Sequence, residues 1–237
     1  MRFLINNLIE TAIITTEDQT SISFPLDNIF SAALTDRAQS ADSIMFDLGS
    51  AKAPTYAAIK NYTPTTSNRI RGKSTPFTSS FDNGDYQATI PQDSNVVELA
   101  PPQAYRYWML VFAAPVFFFR TGYFFLGDFL QVPPTGGAHE RDISKTDIKK
   151  QTSAGTIYPT GGISTISESV KCPFVLLPER DVMRAWWFSP DSANNHIIIP
   201  FEDDIINFIP YYGSVYDMDF KRERSTYMIN LEIREAK

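Results

Sequence analysis

The sequence predicts an all-β chain: an antiparallel β-sandwich over residues 1–130, a long polar connection over 131–170 and a smaller β-rich unit over 171–237. Three observations predict it. The sixteen prolines are spread along the chain, and a proline inside a helix or a central strand loses a backbone hydrogen bond, so long helices are scarce and short strands favoured. Residues 104–130, AYRYWMLVFAAPVFFFRTGYFFLGDFL, hold eleven of the aromatic residues, a type that prefers strands. Apolar runs of strand length alternate with turn signals such as Asp82-Asn83-Gly84.

Taken in order, FLINNLIETAIITT alternates imperfectly and reads as strand, turn, strand. SISFPLDNIF is a strand ending in a Pro25-Leu26-Asp27-Asn28 turn, and SIMFDLGS is an apolar strand closed by Gly49. TYAAIKNYT places Tyr56, Ala58 and Lys60 on one face and Ala57, Ile59 and Asn61 on the other. A hairpin-type turn is expected at Asp82-Asn83-Gly84.

The aromatic block is the segment whose reading decides most. From Tyr107 to Phe119 it is uncharged over thirteen residues, and a membrane-spanning helix needs about 20. Pro115 interrupts it, and Arg120, Gly122, Gly127 and Asp128 spoil its extension. It reads instead as a strand over 105–112, a turn at 113–115, a strand through Val116–Arg120 and a third through Tyr123–Phe129. In the first, Trp108, Leu110 and Phe112 share one face and Tyr107, Met109 and Val111 the other, so both faces are apolar, as in the middle of a sandwich.

Between Gln131 and Val170 the texture changes, with five of the eleven glycines between Gly136 and Gly162 among Thr, Ser, Lys and Asp. A loop of that length in a compact protein is commonly functional or ordered by a partner. Beyond it, PFVLLPE, HIIIPF, YYGSVYDMDF and TYMINLEIRE are strand-like, AWWF (185–188) is an aromatic patch, and FEDDIINFI could form one short helix. The last strand alternates Tyr227, Ile229, Leu231 and Ile233 against Met228, Asn230, Glu232 and Arg234, a half-exposed pattern.

The net charge of −6 is shared evenly, −3 on residues 1–130 and −3 on 131–237, so no basic face for a phosphate backbone is implied. Two local groups, Arg69, Arg71 and Lys73, and Lys221, Arg222 and Arg224, read as solvated strand edges. Cys172 is the single cysteine, which rules out an intrachain disulfide and suits a reducing compartment. Asn6, Asn7 and Glu10 break the apolar run near the N-terminus, and no signal peptide is expected.

A search for chemistry finds no enzyme signature. His139-Glu140-Arg141-Asp142 lacks the second histidine of a zinc-protease helix, Ile143 standing in its place. Arg71-Gly72-Lys73-Ser74-Thr75 lacks the glycine of a phosphate loop, Ser67 occupying that position. Asp82-Asn83-Gly84-Asp85 has calcium-type oxygens without a bidentate glutamate at the right distance. The acidic groups Glu202, Asp203 and Asp204, and Asp217 and Asp219, read as solvated faces, and Asn61-Tyr62-Thr63 is a glycosylation triplet without a secretory context. No metal and no cofactor is expected.

Read together, PLDNIF…TDR (25–37), SIMFDLGSAKAPTYAAIKNYT (43–63), YRYWMLVFAAP (105–115), GYFFLGDFLQ (122–131) and the C-terminal PFVLLP, YYGSVYDMDF and YMINLEIREA resemble a family of tailed-bacteriophage structural proteins of the tail tip or baseplate. Its members begin with a discoidin-like, galactose-binding-like jelly-roll sandwich. The resemblance implies a jelly-roll fold and a non-enzymatic virion subunit, made in the bacterial host cytoplasm. It further implies assembly with other phage tail proteins, as a homo-oligomeric ring, with no nucleic-acid partner and no membrane span. It carries no sugar specificity, because the fold hosts many functions. The alternative is a carbohydrate-binding module for host surface glycans, for which Trp186 and Trp187 are the aromatic candidates and Arg69 and Arg71 the polar ones.

Overall fold

The computed structural model describes residues 1–15, 38–40, 43–62, 67–91, 95–113, 119–133, 138–151, 157–190, 196–199, 211–223 and 225–235. In chain order the first strands are β1 (Arg2–Ile5), β2 (Ile13–Thr15), β3 (Ala38–Ser40), β4 (Ser43–Lys52) and β5 (Tyr56–Tyr62). They are followed by β6 (Ser67–Lys73), β7 (Tyr86–Ile90), β8 (Val96–Glu98), β9 (Tyr105–Ala113) and β10 (Phe119–Gln131). The remainder comprises β11 (Ala138–Gln151), β12 (Ile157–Val175), helix α1 (Leu177–Trp187), β13 (His196–Ile199), β14 (Tyr211–Glu223) and β15 (Thr226–Glu235). Every strand pairing given for these elements is antiparallel, and among the described residues the regular structure is β apart from α1 and one 3-10 turn at Leu8–Thr11. The chain divides into two compact units: residues 2–131 with 197–210, and residues 132–196 with 211–236.

The first unit is a two-sheet jelly-roll sandwich. One sheet has the order β13-β1-β10-β5-β8, with β3 also pairing β10; the other has the order β2-β4-β9-β6-β7. The chain passes repeatedly from one sheet to the other, so β9 and β10 lie in different layers although they are consecutive. Alternation fixes what faces inward. Ala57 and Ile59 of β5 and Phe124 and Leu126 of β10 meet Ile44 and Phe46 of β4, Ile70 of β6 and Trp108, Leu110 and Phe112 of β9. Phe46 and Phe124 stack across the layers, ring centroids 5.2 Å apart. The two apolar faces expected of residues 105–112 follow from the central place of β9 in its sheet: Trp108 and Leu110 fill the core, and Met109 on the other face is buried as well.

The strand assignments correct the sequence reading in several places. Residues 119–131 form one strand, so the break expected after Arg120 is absent: pairing with β5 runs from Thr121 to Gly127 and pairing with β1 from Asp128 to Gln131. The readings at 22–31, 114–118 and 201–209 lie outside the described residues. Strand β13, expected in the C-terminal unit, pairs with β1 of the sandwich, Phe3 opposite Ile198. Half-buried Asn7 ties down the end of β1: it donates from Nδ2 to Phe124 O (3.1 Å) and accepts at Oδ1 from Leu126 N (3.1 Å), so its amide acts as one more rung of the ladder.

In the second unit the order is β11-β12-β15-β14. The polar connection expected over 131–170 is largely strand. β11 and β12 run paired from Ala138–Lys171 to Gln151–Ile157, with one irregularity between Asp147 and Lys149. No period-2 apolar pattern announces them, because polar ribbons paired through the backbone need none. The segment read as the strand PFVLLPE ends β12 at Val175 and begins α1, with Pro178 in the first turn and Glu179 accepting a hydrogen bond from Leu176 N at 2.9 Å. Met183 and Trp186 of α1, Val170 and Cys172 of β12, Met218 of β14 and Ile229, Leu231 and Ile233 of β15 are buried. The β15 alternation holds from Ile229 to Arg234, where Glu232 and Arg234 are exposed, but at the start of the strand Met228 on that face is buried and Tyr227 is half-buried.

Candidate functional site

Strand β6 carries the basic group Arg69, Arg71 and Lys73 on the face opposite Ile70, which points into the core. Between the cations sits Gly72, where a Cβ would lie 2.6 Å from the Tyr105 ring and 3.2 Å from Trp108. The sequence therefore alternates a bare backbone inward with long cations outward. The outward side is covered by the loop that connects β6 to β7, residues 74–85, and Arg71 is its anchor.

Arg71 is 5% exposed. Its Nη1 donates to Ser80 O at 2.9 Å and to Asp82 O at 2.7 Å, and its Nε donates to Gln87 Oε1 at 3.2 Å. Burial holds its pKa below the usual guanidinium range, Arg69 adds to that shift, and Asp82 opposes it. Lys73 Nζ meets Asp82 Oδ2 at 2.6 Å, and Gly84 N donates to Asp82 Oδ1 at 3.1 Å. The Lys73 hydrogen bond, followed by the Gly84 amide, keeps the Asp82 carboxyl below the ordinary aspartate range. A depressed carboxyl stabilises the fold above its unfolded pKa, and that contribution is lost as pH falls through the folded value. Gly84 has φ of +69° and lies so close to Gly72 O that a Cβ would stand 2.9 Å away, so the hairpin signal at Asp82-Asn83-Gly84 marks a real left-handed turn, inside a longer loop.

These bonds pin the backbone on both sides of one residue. Phe81 lies between the two carbonyls held by Arg71, and it is 87% exposed. A large apolar ring in water at the tip of an anchored loop is a preformed contact surface, because its backbone entropy has already been removed. Replacing Arg71 by alanine orphans two carbonyls and a side-chain amide, and is expected to cost about 2–3 kcal/mol in urea unfolding. Replacing Phe81 by alanine is expected to change stability by less than about 0.5 kcal/mol. Faster proteolytic cutting within 74–85 should accompany the first change and not the second.

The four residues singled out in the sequence fall at different places. Arg71 is 5% exposed and directs Nε and Nη1 to the loop and Gln87; Arg69 is half-buried on the same face. Trp186 and Trp187 lie on α1, where successive side chains diverge by about 100°. Trp186 is buried at 7%, its ring centroid 5.6 Å from that of His196, and Trp187 is half-buried. Burial withdraws Arg71 and Trp186 as direct ligand contacts. Phe81 is an exposed ring that the sequence does not single out, though a lone aromatic beside a turn signal in a polar loop is the available clue.

Cys172 is buried and unoxidised, and desolvation pushes its thiol up to about 11. The thiolate is the reactive form, so Cys172 should stay silent toward a disulfide reagent at pH 8 until the chain is unfolded. Rapid reaction of the native protein would contradict this burial. Among the described residues no group of three or more His, Cys, Asp or Glu could hold a metal ion, and no helix is long and apolar enough to cross a membrane.

No protein-family model and no curated protein matches the chain. Among solved structures, it is similar to chitosan-binding module 1 of a chitosanase/glucanase from Paenibacillus sp. IK-5, with 17% identity, TM-score 0.40, and coverage of 52% of this chain and 98% of that one. A fucose binding module of Streptococcus pneumoniae aligns at 10% identity and TM-score 0.41, covering 52% of this chain and 97% of the module. A chain from the virion of a native gene transfer agent particle aligns at 13% identity and TM-score 0.31, covering 45% of this chain and 84% of that one.

Proposed function

We propose that the protein is a non-enzymatic structural subunit of a phage tail, at the tip or baseplate, that joins its neighbours through the β11–β12 arm. The arm carries this reading. β12 pairs with β15 only from Ser167 onward, whereas its pairing with β11 continues out to Gln151–Ile157. Among the described residues, 157–166 therefore pair with β11 alone. A two-stranded ribbon is marginal in water and presents open backbone edges. Adding a strand from a second copy would satisfy those edges, and repetition around a rotation axis would close a ring. The arm's sequence mixes both signs of charge, which disfavours indiscriminate aggregation at an open edge. The resemblance of the sequence to tail proteins supplies the virion context.

Light scattering on the full chain at tens of micromolar should give a ring-sized mass. Replacing 145–164 by Asn-Gly joins the paired residues Ser144 and Thr165 through a two-residue turn and spares the β12–β15 pairing. That variant should be a folded monomer. A monomeric full chain, or a shortened chain that still forms the ring, would sink the reading.

A second reading, recognition of a host surface glycan, is favoured by Phe81 alone: an exposed ring on a pinned loop can stack on the C–H face of a sugar. Glycan-array binding that disappears in Phe81→Ala would support it, and an array blank for the full chain would dismiss it.

A further inference from the structure

The C-terminal unit contains a groove of about 420 Å³ that neither reading uses. One wall is a helical stripe, Arg180, Arg184 and Phe188, spaced four residues apart along α1 and just beyond its end. The other wall comes from the face shared by Met218, Phe220 and Arg222 of β14, with Tyr227 directly opposite Arg222 on β15. Three guanidinium groups, two from α1 and one from β14 about forty residues further along the chain, thus line one depression, together with three aromatic rings.

The electrostatics favour an anion. Arg180 and Arg184 are like charges one turn apart, an arrangement that disfavours a helix unless something of opposite sign offsets it. Asp181 forms an ion pair with Arg180, and Asp219, the one acid on the groove lining, pairs with Lys221 at 3.2 Å. Together these residues keep an excess of positive charge at the groove. Two of the cations are already positioned by aromatic rings: the Arg180 guanidinium carbon lies 4.4 Å from the Tyr227 centroid and that of Arg184 lies 5.8 Å from the Phe188 centroid. Planar donor forks match carboxylate and phosphate oxygens, and Phe188, 72% exposed, offers an apolar surface beside them.

We propose that this groove binds an anionic saccharide, a sugar unit bearing a carboxylate or a phosphate, with Arg184 and Arg222 taking the charge and Phe188 packing on the ring. The volume suits a small ligand of one or two sugar units. The proposal does not depend on ring assembly or on Phe81, so its failure is separable from theirs.

The test is calorimetric titration of the full chain at low salt with four probes: glucuronate, glucose 6-phosphate, neutral glucose and inorganic phosphate. At least one charged sugar should bind tenfold or more tighter than glucose and than inorganic phosphate, and weaken as salt is raised. Which one wins distinguishes a carboxylate from a phosphate source. Arg184→Gln and Arg222→Gln, both at exposed positions, should each weaken binding about tenfold, and Lys52→Gln, at an exposed position outside the groove, should leave it unchanged. Equal binding of glucose, no binding of either charged sugar, or retention of affinity in both glutamine variants would overturn the site. Inorganic phosphate binding as tightly as both sugars would overturn the saccharide assignment.

Discussion

Replacing Trp108 by alanine is expected to destabilise the sandwich by about 3–5 kcal/mol, the range for emptying a large buried aromatic site. The side chain is fully buried in the middle strand of its sheet. Its Nε1 donates to Tyr105 O at 3.1 Å, and its ring meets those of Tyr86 and Tyr105 edge-on at 6.0 and 5.9 Å. Gly72, whose missing Cβ leaves room for the Trp108 ring, cannot close the void without moving its strand. A domain is stable by only about 5–15 kcal/mol, so the loss approaches the threshold of folding. Urea unfolding measures it, and Trp108→Phe should recover a substantial part by refilling the space. The result also decides what the aromatic block is for. Were Trp108 a stacking platform for a ligand, its loss would abolish binding and leave stability intact.

That block was legible because core strands obey a strict geometric rule. Trp108, Leu110 and Phe112 alternate with Tyr107, Met109 and Val111, and the central strand buries the first set and Met109 of the second, leaving Tyr107 and Val111 half-buried. The segments that were misread lack such a signal. α1 buries only Met183 and Trp186, and its adjacent tryptophans favour strands by propensity, so packing against β15 decides its conformation. The β11–β12 arm has no apolar face to betray its period; its pairing is carried by backbone bonds, to which side-chain pattern is indifferent.

The sites were hidden for a related reason. Arg69, Arg71 and Lys73 stand out in the sequence as a cluster, yet Arg71 acts on carbonyls nine and eleven residues later, after the loop has turned back. The cluster Lys221, Arg222 and Arg224 looked like a solvated edge because Arg180 and Arg184, the groove partners of Arg222, lie on another element. Local patterning reports a residue's own face. It is silent about which distant face folds onto it.

Gly127→Ala is the second large effect, and it comes from added atoms where Trp108→Ala removes them. Gly127 pairs with Tyr56 in β10, and its carbonyl accepts from Thr55 N at 2.9 Å. Over it passes the chain leaving β1 at Asn6, a residue with φ of +57°, immediately before Asn7 ties itself to Phe124 and Leu126. A methyl group at Gly127 would overlap the Asn6 carbonyl oxygen, stand 3.0 Å from the Asn6 carbonyl carbon and 2.9 Å from Phe125 Cζ. The Phe125 ring can swing; the Asn6 peptide cannot move without pulling β1 off β10. Overpacking of this kind is expected to cost about 3 kcal/mol or more. Gly49→Ala is the control, since Gly49 has φ of +72° and nothing within 4 Å of its would-be Cβ, leaving only a backbone cost of about 1–2 kcal/mol. If both substitutions cost the same in urea unfolding, the close crossing at Asn6 is wrong. If Gly127→Ala costs more, and exchange of the Leu126 amide with solvent quickens alongside it, the β1–β10 junction is where the sandwich opens.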